Sequence, residues 1–229
     1  MSEEKAKEAY EEWRVLEENV WFYPARDLLF YHADIKGAFL TGKRMEVLRA
    51  IVEKKGREAI TVVTTMDAFL DGLPSKEELC GNRIKIHAEE ALDFQKLQEN
   101  LSILGYEREN QVESPGQFAV RGGILDVFPL TEENPVRIEL WGDEVDSIRS
   151  FDVESQRSTE NLQEIEIYPA TENWKQMETE SFLAYFPVKE TILFLDEPVR
   201  LQESAEIYPI YLVTLFQSRR KVITKKDVP

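Results

Sequence analysis

The sequence predicts an α/β domain that is interrupted by an α+β domain with an antiparallel sheet. Three observations lead to this prediction: short apolar strands near both ends of the chain, helical periodicity in the first part, and hairpin turns that recur through the middle. We therefore expect three segments. Residues 1–80 form the first part of the α/β domain, residues 81–170 form the inserted α+β domain, and residues 171–229 form the second part with an atypical C-terminal tail.

The first segment alternates helices and strands. Apolar residues at helical spacing predict an amphipathic helix over residues 3–17 and a second helix that begins after Thr41 as its N-cap. Residues 20–23 and the β-branched run at residues 60–63 predict two short strands, and the second has the apolar character of a buried parallel strand. Two strands are fewer than a stable sheet normally contains, so we expect this segment to be part of a larger sheet.

The pattern changes after the first segment. Residues 83–87 predict a strand, apolar spacing predicts a helix over residues 94–104, and residues 106–168 hold mostly strands joined by hairpin turns. This order is typical of an antiparallel α+β domain. The last segment contains a helix near residues 182–186 and an apolar strand at residues 191–195, which again has parallel-sheet character.

Composition excludes several classes of protein. A hydrophobic fraction of 42% is enough for a packed core. No run approaches the roughly 18 apolar residues that a membrane span needs, and the acidic, helical N-terminus does not resemble a signal peptide. One cysteine, Cys80, and two histidines, His32 and His87, are too few for a zinc site of cysteine and histidine ligands. We expect a soluble, cytoplasmic protein without a cofactor.

The net charge of −16 argues against nucleic-acid binding. Affinity for DNA or RNA comes mainly from lysines and arginines that displace counterions from phosphates, and this chain would repel them. One basic cluster near the C-terminus is the local exception, and we interpret it as a solvated tail rather than a nucleic-acid site. Its members are Arg219, Arg220, Lys221, Lys225 and Lys226.

Two stretches resemble parts of nucleotide-binding sites, and neither is convincing. Residues 37–44 match the spacing G-x-x-x-x-G-K, but Arg44 stands where the serine or threonine of a phosphate-binding loop ligates magnesium. Asp196 and Glu197 follow a predicted strand, as magnesium-binding acids do in ATPases. No phosphate-binding loop is predicted opposite them, and acids in the first turn of a helix, favoured by its dipole, explain them far better. The sequence therefore predicts no catalytic activity.

The middle segment carries a more informative pattern around the hairpin turn Gly122-Gly123. Strand alternation places a wholly apolar set on one face, which must be the buried side against the helix at residues 94–104: Phe118, Val120, Leu125 and Val127, followed by Val136, Ile138 and Leu140. The opposite face then carries a different set: Arg121, Ile124, Phe128, Arg137, Glu139 and Trp141, with Gly122 at the turn.

Two arginines among large apolar groups on an outward face are typical of a protein-binding hot spot. Residues 81–170 hold 8 basic and 19 acidic side chains, a net charge of 8 − 19 = −11, so arginines here are either paired locally or offered to a partner. The alternative is a purely structural face. Arg137 would then pair with Asp126 or Asp146, and flanking segments would cover Phe128 and Trp141. The pattern leaves both interpretations open.

Longer stretches of the sequence resemble the amino-terminal region of the bacterial transcription-repair coupling factors, the Mfd family. The stretches are residues 116–129, 135–141, 142–149 and 151–158, and the resemblance extends over about residues 10–203. UvrB, an excision-repair helicase, is related and shares the central domain. It would carry a tyrosine-rich DNA-gripping hairpin soon after the first strand, and residues 26–34 leave no room for one.

The resemblance implies a degenerate, RecA-like or helicase-like α/β domain without ATPase activity, interrupted by a UvrB-type interaction domain that binds UvrA. It assigns Arg121 to the arginine of the family's R-G hairpin, and Arg137 and Glu139 to its R-x-E strand. Gly122, Ile124, Phe128 and Trp141 complete the expected partner-binding set. RNA polymerase and DNA are expected to be bound only by other domains of such proteins, which also hold the ATP-dependent translocase motor.

The chain departs from the family in two ways. The stretch expected before the first helix is missing, and the sequence after Glu203 does not match. A UvrB-like helicase or ATPase fragment that contacts DNA remains the alternative.

Overall fold

The computed structural model describes residues 3–26, 34–54, 59–172, 179–187, 189–195 and 221–224. The chain divides into two compact units. The first contains residues 1–27, 49–76 and 176–229, and the second contains residues 28–48 and 77–175. Along the chain, the first unit is thus interrupted twice by the second. The predicted division at residues 80 and 170 stays a prediction.

The first unit combines helices with pairs of parallel strands, which is consistent with an α/β fold. β1 (Val20–Tyr23) pairs in parallel with β2 (Thr61–Thr64), and the register runs from Val20↔Thr61 to Tyr23↔Thr64. The remaining elements of this unit are α1 (Glu3–Leu16), α3 (Met66–Leu70), β3 (Gly72–Leu73), β12 (Glu180–Ser181), a 3-10 helix (Phe182–Tyr185), β13 (Ile192–Leu195) and β14 (Lys221–Thr224). β3 and β12 are antiparallel, whereas β13 and β14 are parallel.

Aromatic packing supports the 3-10 helix of this unit. The Phe182 ring stacks on Tyr23 with centroids 4.3 Å apart and meets Phe69 edge-on at 6.4 Å. The Tyr185 hydroxyl donates a hydrogen bond of 2.8 Å to the carbonyl of Pro74. Offset and edge-to-face pairs of this kind stabilise a core beyond the area that they bury.

The second unit is built on a six-stranded sheet of β5 (Glu107–Glu109), β6 (Gln117–Arg121), β7 (Ile124–Val127), β8 (Val136–Trp141), β9 (Glu144–Phe151) and β10 (Ser158–Leu162). The strands lie in the order β10-β9-β8-β7-β6-β5. Its pairs are antiparallel, as predicted, except for β5–β6 at one edge, which is parallel. A separate antiparallel pair joins β4 (Ile84–His87) to β11 (Glu164–Ile167).

Three helices belong wholly or largely to this second unit. α4 (Lys76–Gly81) precedes β4, and α5 (Phe94–Ile103) is capped by Asp93, whose side chain accepts a hydrogen bond of 3.0 Å from the Lys96 amide. A third helix, α2 (Asp34–Glu53), contributes its residues up to Leu48.

The apolar face of the six-stranded sheet forms the main core of the second unit. Leu97 and Leu101 of α5 pack with Phe118, Leu125 and Ile138 of the sheet, all of them nearly or fully buried. The core also contains Val127, Val136, Val145 and Ile148, with Val120 and Leu140 partly buried against it. The predicted set of core-facing residues is therefore confirmed. Because side chains alternate along a strand, this set determines which residues face outward.

Gly105, which follows α5, gives a first prediction. Its φ of +88° is in the left-handed region, and a Cβ there would lie 2.8 Å from Thr171 Cγ2. We expect Gly105→Ala to lower the free energy of unfolding by about 1–3 kcal/mol, measured by urea denaturation, because of backbone strain and this clash. Gly81→Ala is the matched control, since Gly81 is helical and nothing lies near its added Cβ. Equal stability of the two variants would contradict the prediction.

Candidate functional site

The outward side chains of the six-stranded sheet lie in two rows that cross β6, β7, β8 and β9. The register of the strand pairs defines both rows. The row nearer the Gly122-Gly123 turn consists of Arg121, Ile124, Glu139 and Ser147. The next row consists of Ala119, Asp126, Arg137 and Arg149. We call these residues, together with Trp141 at the end of β8, the outer face. The structure thus brings together Arg121, Ile124, Arg137 and Glu139, which the sequence placed on one face.

The hairpin turn fixes the position of Arg121. Gly122 has a φ of +62°, which glycine adopts without steric cost and which suits the first central position of a two-residue hairpin turn. A Cβ on Gly123 would approach the Leu140 carbonyl oxygen to 3.0 Å, so the turn packs tightly against β8. As a result, Arg121 and Ile124 stand side by side on neighbouring strands.

A buried carboxylate lies at the centre of the outer face. The side chain of Asp126 is only 1% exposed, and both of its oxygens accept hydrogen bonds from arginines. Its Oδ1 accepts from Arg137 Nε at 2.7 Å, and its Oδ2 accepts from Arg137 Nη2 at 2.9 Å and from Arg121 Nη2 at 2.7 Å. The Arg137 pair is two-pronged, the geometry in which a guanidinium binds a carboxylate most strongly.

The two arginines that share Asp126 differ in their access to solvent. The Arg121 side chain is 52% exposed, whereas that of Arg137 is 17% exposed. The Arg137 guanidinium carbon also lies 4.6 Å from the centroid of the buried Phe151 ring, within cation–π distance. The hydrogen bonds to Asp126 raise the pKa of Arg137 above its ordinary value. Arg137 is therefore a fixed, charged part of the face, and Arg121 is the more accessible cation.

A third arginine, Arg149, belongs to the outer face and was missed by the sequence analysis. Its Nη2 donates to Glu139 Oε2 at 2.5 Å and to Ser147 Oγ at 3.1 Å. It lies directly opposite Arg137, and like charges in that position destabilise a sheet unless each has its own acid. Asp126 pairs with Arg137, and Glu139 pairs with Arg149. With three arginines and two acids, the outer face carries a net charge of +1.

A bulge in β9 explains why Arg149 was missed. The register of β8 and β9 shifts between Glu139 and Leu140, so that Val145 and Ile148 both point inward. Strict alternation from Val145 would instead turn Arg149 toward the core. The sequence signal that could have found it is the apolar Ile148, which breaks that alternation.

The exposed apolar part of the outer face is smaller than predicted. Trp141 is 85% exposed, and Ile124 is partly exposed. Phe128 is a correction, because it is only 7% exposed and packs with Val112 and Ala119 in a satellite cluster to which Val153 adds. The alternative of a purely structural face predicted that flanking segments cover both Phe128 and Trp141. Phe128 is covered, and Trp141 is not. Strand alternation gives the side of a sheet, but not whether a loop covers it.

The stretch that matches phosphate-loop spacing is helical. Residues 37–44 lie inside α2, where backbone N–H groups bond to carbonyls four residues earlier instead of pointing at a ligand. Arg44 is fully buried, and its Nε lies 2.7 Å from Glu172 Oε1. The predicted N-cap at Thr41 is wrong, because α2 already begins at Asp34.

Several predicted features lie outside the described residues: Asp196 and Glu197, most of the segment at residues 26–34, and the side chains of the basic C-terminal cluster. Within the described ranges, no group of three or more histidine, cysteine, aspartate or glutamate side chains is placed to hold a metal ion. Among the helices that the structure describes, none has the length and apolar character to cross a membrane.

Comparisons with known proteins point to one family. The family model described as UvrB interaction domain matches residues 84–173. The transcription-repair-coupling factor of Bacillus subtilis (strain 168) is 39% identical over 154 residues, which cover 67% of this chain and 13% of that protein. The transcription-repair-coupling factor of Staphylococcus aureus (strain bovine RF122 / ET3-1) is 32% identical over 223 residues, which cover 93% of this chain and 18% of that protein. The chain therefore spans less than a fifth of the length of these curated relatives.

Proposed function

Because this chain belongs to the transcription-repair-coupling factor family and carries a UvrB interaction domain, we propose that it docks the excision-repair protein UvrA through its outer face. The observation that carries this proposal is an accessible arginine and an exposed tryptophan on the same face of the sheet. Arg121 and Trp141 are 52% and 85% exposed, in a segment whose net charge is strongly negative. Arginine and tryptophan are the side chains most enriched at binding hot spots.

We assign the contacts by accessibility. Arg121, Ile124 and Trp141 meet UvrA directly, and Glu139, 31% exposed, offers a carboxylate between Ile124 and Arg149. Gly122 shapes the turn, and Arg137 contributes charge from a largely buried position. Phe128 packs with Ala119 under Val112 and Val153 and is too buried to meet the partner.

We further propose that this region recruits UvrA to stalled transcription without chemistry of its own. The first unit would be the degenerate helicase-like domain, and its parallel pairs β1–β2 and β13–β14 support that assignment. The helical course of residues 37–44 disfavours the alternative of a UvrB-like ATPase fragment. Contacts with RNA polymerase and DNA would then belong to parts of the family's proteins outside this chain.

Calorimetric titration of UvrA against the full chain tests the docking proposal. Substitution of two tryptophans, one on the outer face and one on α1, shows where UvrA binds. We expect Trp141→Ala to weaken binding about tenfold while leaving the thermal unfolding midpoint unchanged, because the side chain is exposed before binding and buried after it. Trp13→Ala is the matched control, since Trp13 is 47% exposed on α1 of the first unit. No binding of UvrA by the unsubstituted chain, or equal losses for both variants, would refute the proposal.

A further inference from the structure

The polar network of the outer face depends on one residue that the docking proposal does not assign. We infer that Asp126 is a positioning residue, which holds Arg121 in its binding geometry through a charge network shared with Arg137. This inference rests on the proposed docking of UvrA. The partner chemistry that it implies is a carboxylate or carbonyl group presented to a fixed guanidinium.

The burial of Asp126 is the first argument. A carboxylate that is 1% exposed has lost its hydration, and this destabilises the folded state unless charged donors replace the lost water. Three arginine N–H groups do so at 2.7–2.9 Å, and they occupy both oxygens. Asp126 therefore has no accessible oxygen to offer a partner, and its effect on binding must pass through the arginines.

The charge balance is the second argument. One carboxylate between two guanidinium groups leaves a net charge of +1, and the exposed member of the group is Arg121. Without the carboxylate, two like charges would stand on β6 and β8, on either side of β7, with no common counterion. Arg121 would then move freely in solvent and lose rotamer freedom only on binding, which weakens association.

The geometry of the pair with Arg137 is the third argument. Arg137 is fixed on two sides, by the two-pronged bond to Asp126 and by the Phe151 ring. This arrangement orients the Asp126 carboxylate so that Oδ2 points toward Arg121. The chain of contacts therefore runs from Phe151 through Arg137 and Asp126 to the accessible guanidinium.

A double-mutant cycle tests the inference with the full chain and UvrA. Asp126→Asn keeps the shape of the side chain but removes its charge and puts an amide N–H against an arginine N–H. Arg137 then loses one of its two hydrogen bonds, and Arg121 loses its own where the amide nitrogen replaces Oδ2. We expect this change to weaken UvrA binding about tenfold when Arg121 is present, and less than twofold in an Arg121→Ala background. A residue that only maintained the fold would give the same loss in both backgrounds, and that result would overturn the inference.

A second variant keeps the test decisive if Asp126→Asn does not fold. Arg137→Lys retains the positive charge but removes the two-pronged bond to Asp126. We expect a threefold to tenfold loss of affinity with Arg121 present and less than twofold with Arg121→Ala. Equal losses in both backgrounds would again overturn the inference.

The control is Glu166→Gln, an acid-to-amide change at a half-buried ion pair with Arg83 that lies away from the outer face. It should leave affinity unchanged. If the inference fails, UvrA still binds the unsubstituted chain and Arg121→Ala still weakens it. If the docking proposal fails, the unsubstituted chain does not bind at all, and that outcome would overturn both.

Discussion

Arg121→Ala is expected to weaken the binding of UvrA by about 30- to 1000-fold, which corresponds to about 2–4 kcal/mol. Arg121 is the accessible cation of the outer face, and the buried Asp126 holds it in one orientation before the partner arrives. Truncation removes both the charge and the preorganised geometry. The fold should survive, because Arg137 still satisfies both oxygens of Asp126.

The matched control for this prediction is Arg14→Ala. Arg14 is 54% exposed and also pairs with an acid, Glu11, but it lies on α1 in the first unit. Calorimetric titration of both variants, with thermal unfolding of each, separates a lost contact from a lost fold. Affinity within twofold of the unsubstituted chain for Arg121→Ala would show that this arginine is not an anchor.

Ile138→Ala is expected to lower the free energy of unfolding of the second unit by about 3–4 kcal/mol. Ile138 is fully buried on β8, at the centre of the sheet, and it packs in the core that includes Leu97 and Leu101 of α5. Removing three buried carbon atoms loses their transfer free energy and leaves a cavity that the surrounding strands cannot fill completely. Chemical denaturation followed by circular dichroism measures the change.

Ile103→Ala provides the comparison for the same chemical change at the surface. Ile103 is 77% exposed on α5, and alanine has the higher helix propensity, so we expect a change below about 0.5 kcal/mol. A small loss of unfolding free energy for Ile138→Ala would mean that Ile138 does not face the core and that β8 turns its other side inward. In that case the outer face would be the core, and Arg137 could not lie where we describe it.

The sequence predicted the elements of the site that depend only on strand alternation and turn chemistry. The Gly122-Gly123 hairpin and the inward set around Ile138 are confirmed, and these two features place Arg121, Arg137 and Glu139 on the opposite side. Both signals are local in the sequence, because side chains alternate every residue and glycine marks the tight turn. They require no knowledge of what packs on top of the sheet.

What could not be predicted depends on contacts between residues distant in the sequence. Phe128 is buried because Val112 and Val153 pack on it from other parts of the chain. The bulge in β9 brings in Arg149, and local alternation does not show where a bulge lies. The structural interpretation of Arg137 describes its pairing with Asp126, which the structure shows. The interpretation of Arg137 as part of a binding face stays a prediction.

The most direct test of the docking surface is oxidative footprinting of Trp141 and Trp13, the tryptophans that are exposed in the described part of the chain, with and without saturating UvrA. Trp141 lies on the outer face and Trp13 lies on α1, so each serves as the other's internal reference. We predict that UvrA protects Trp141 from oxidation and leaves the rate at Trp13 unchanged. If Trp141 reacts as fast in the complex as in the free chain, UvrA does not bind the outer face.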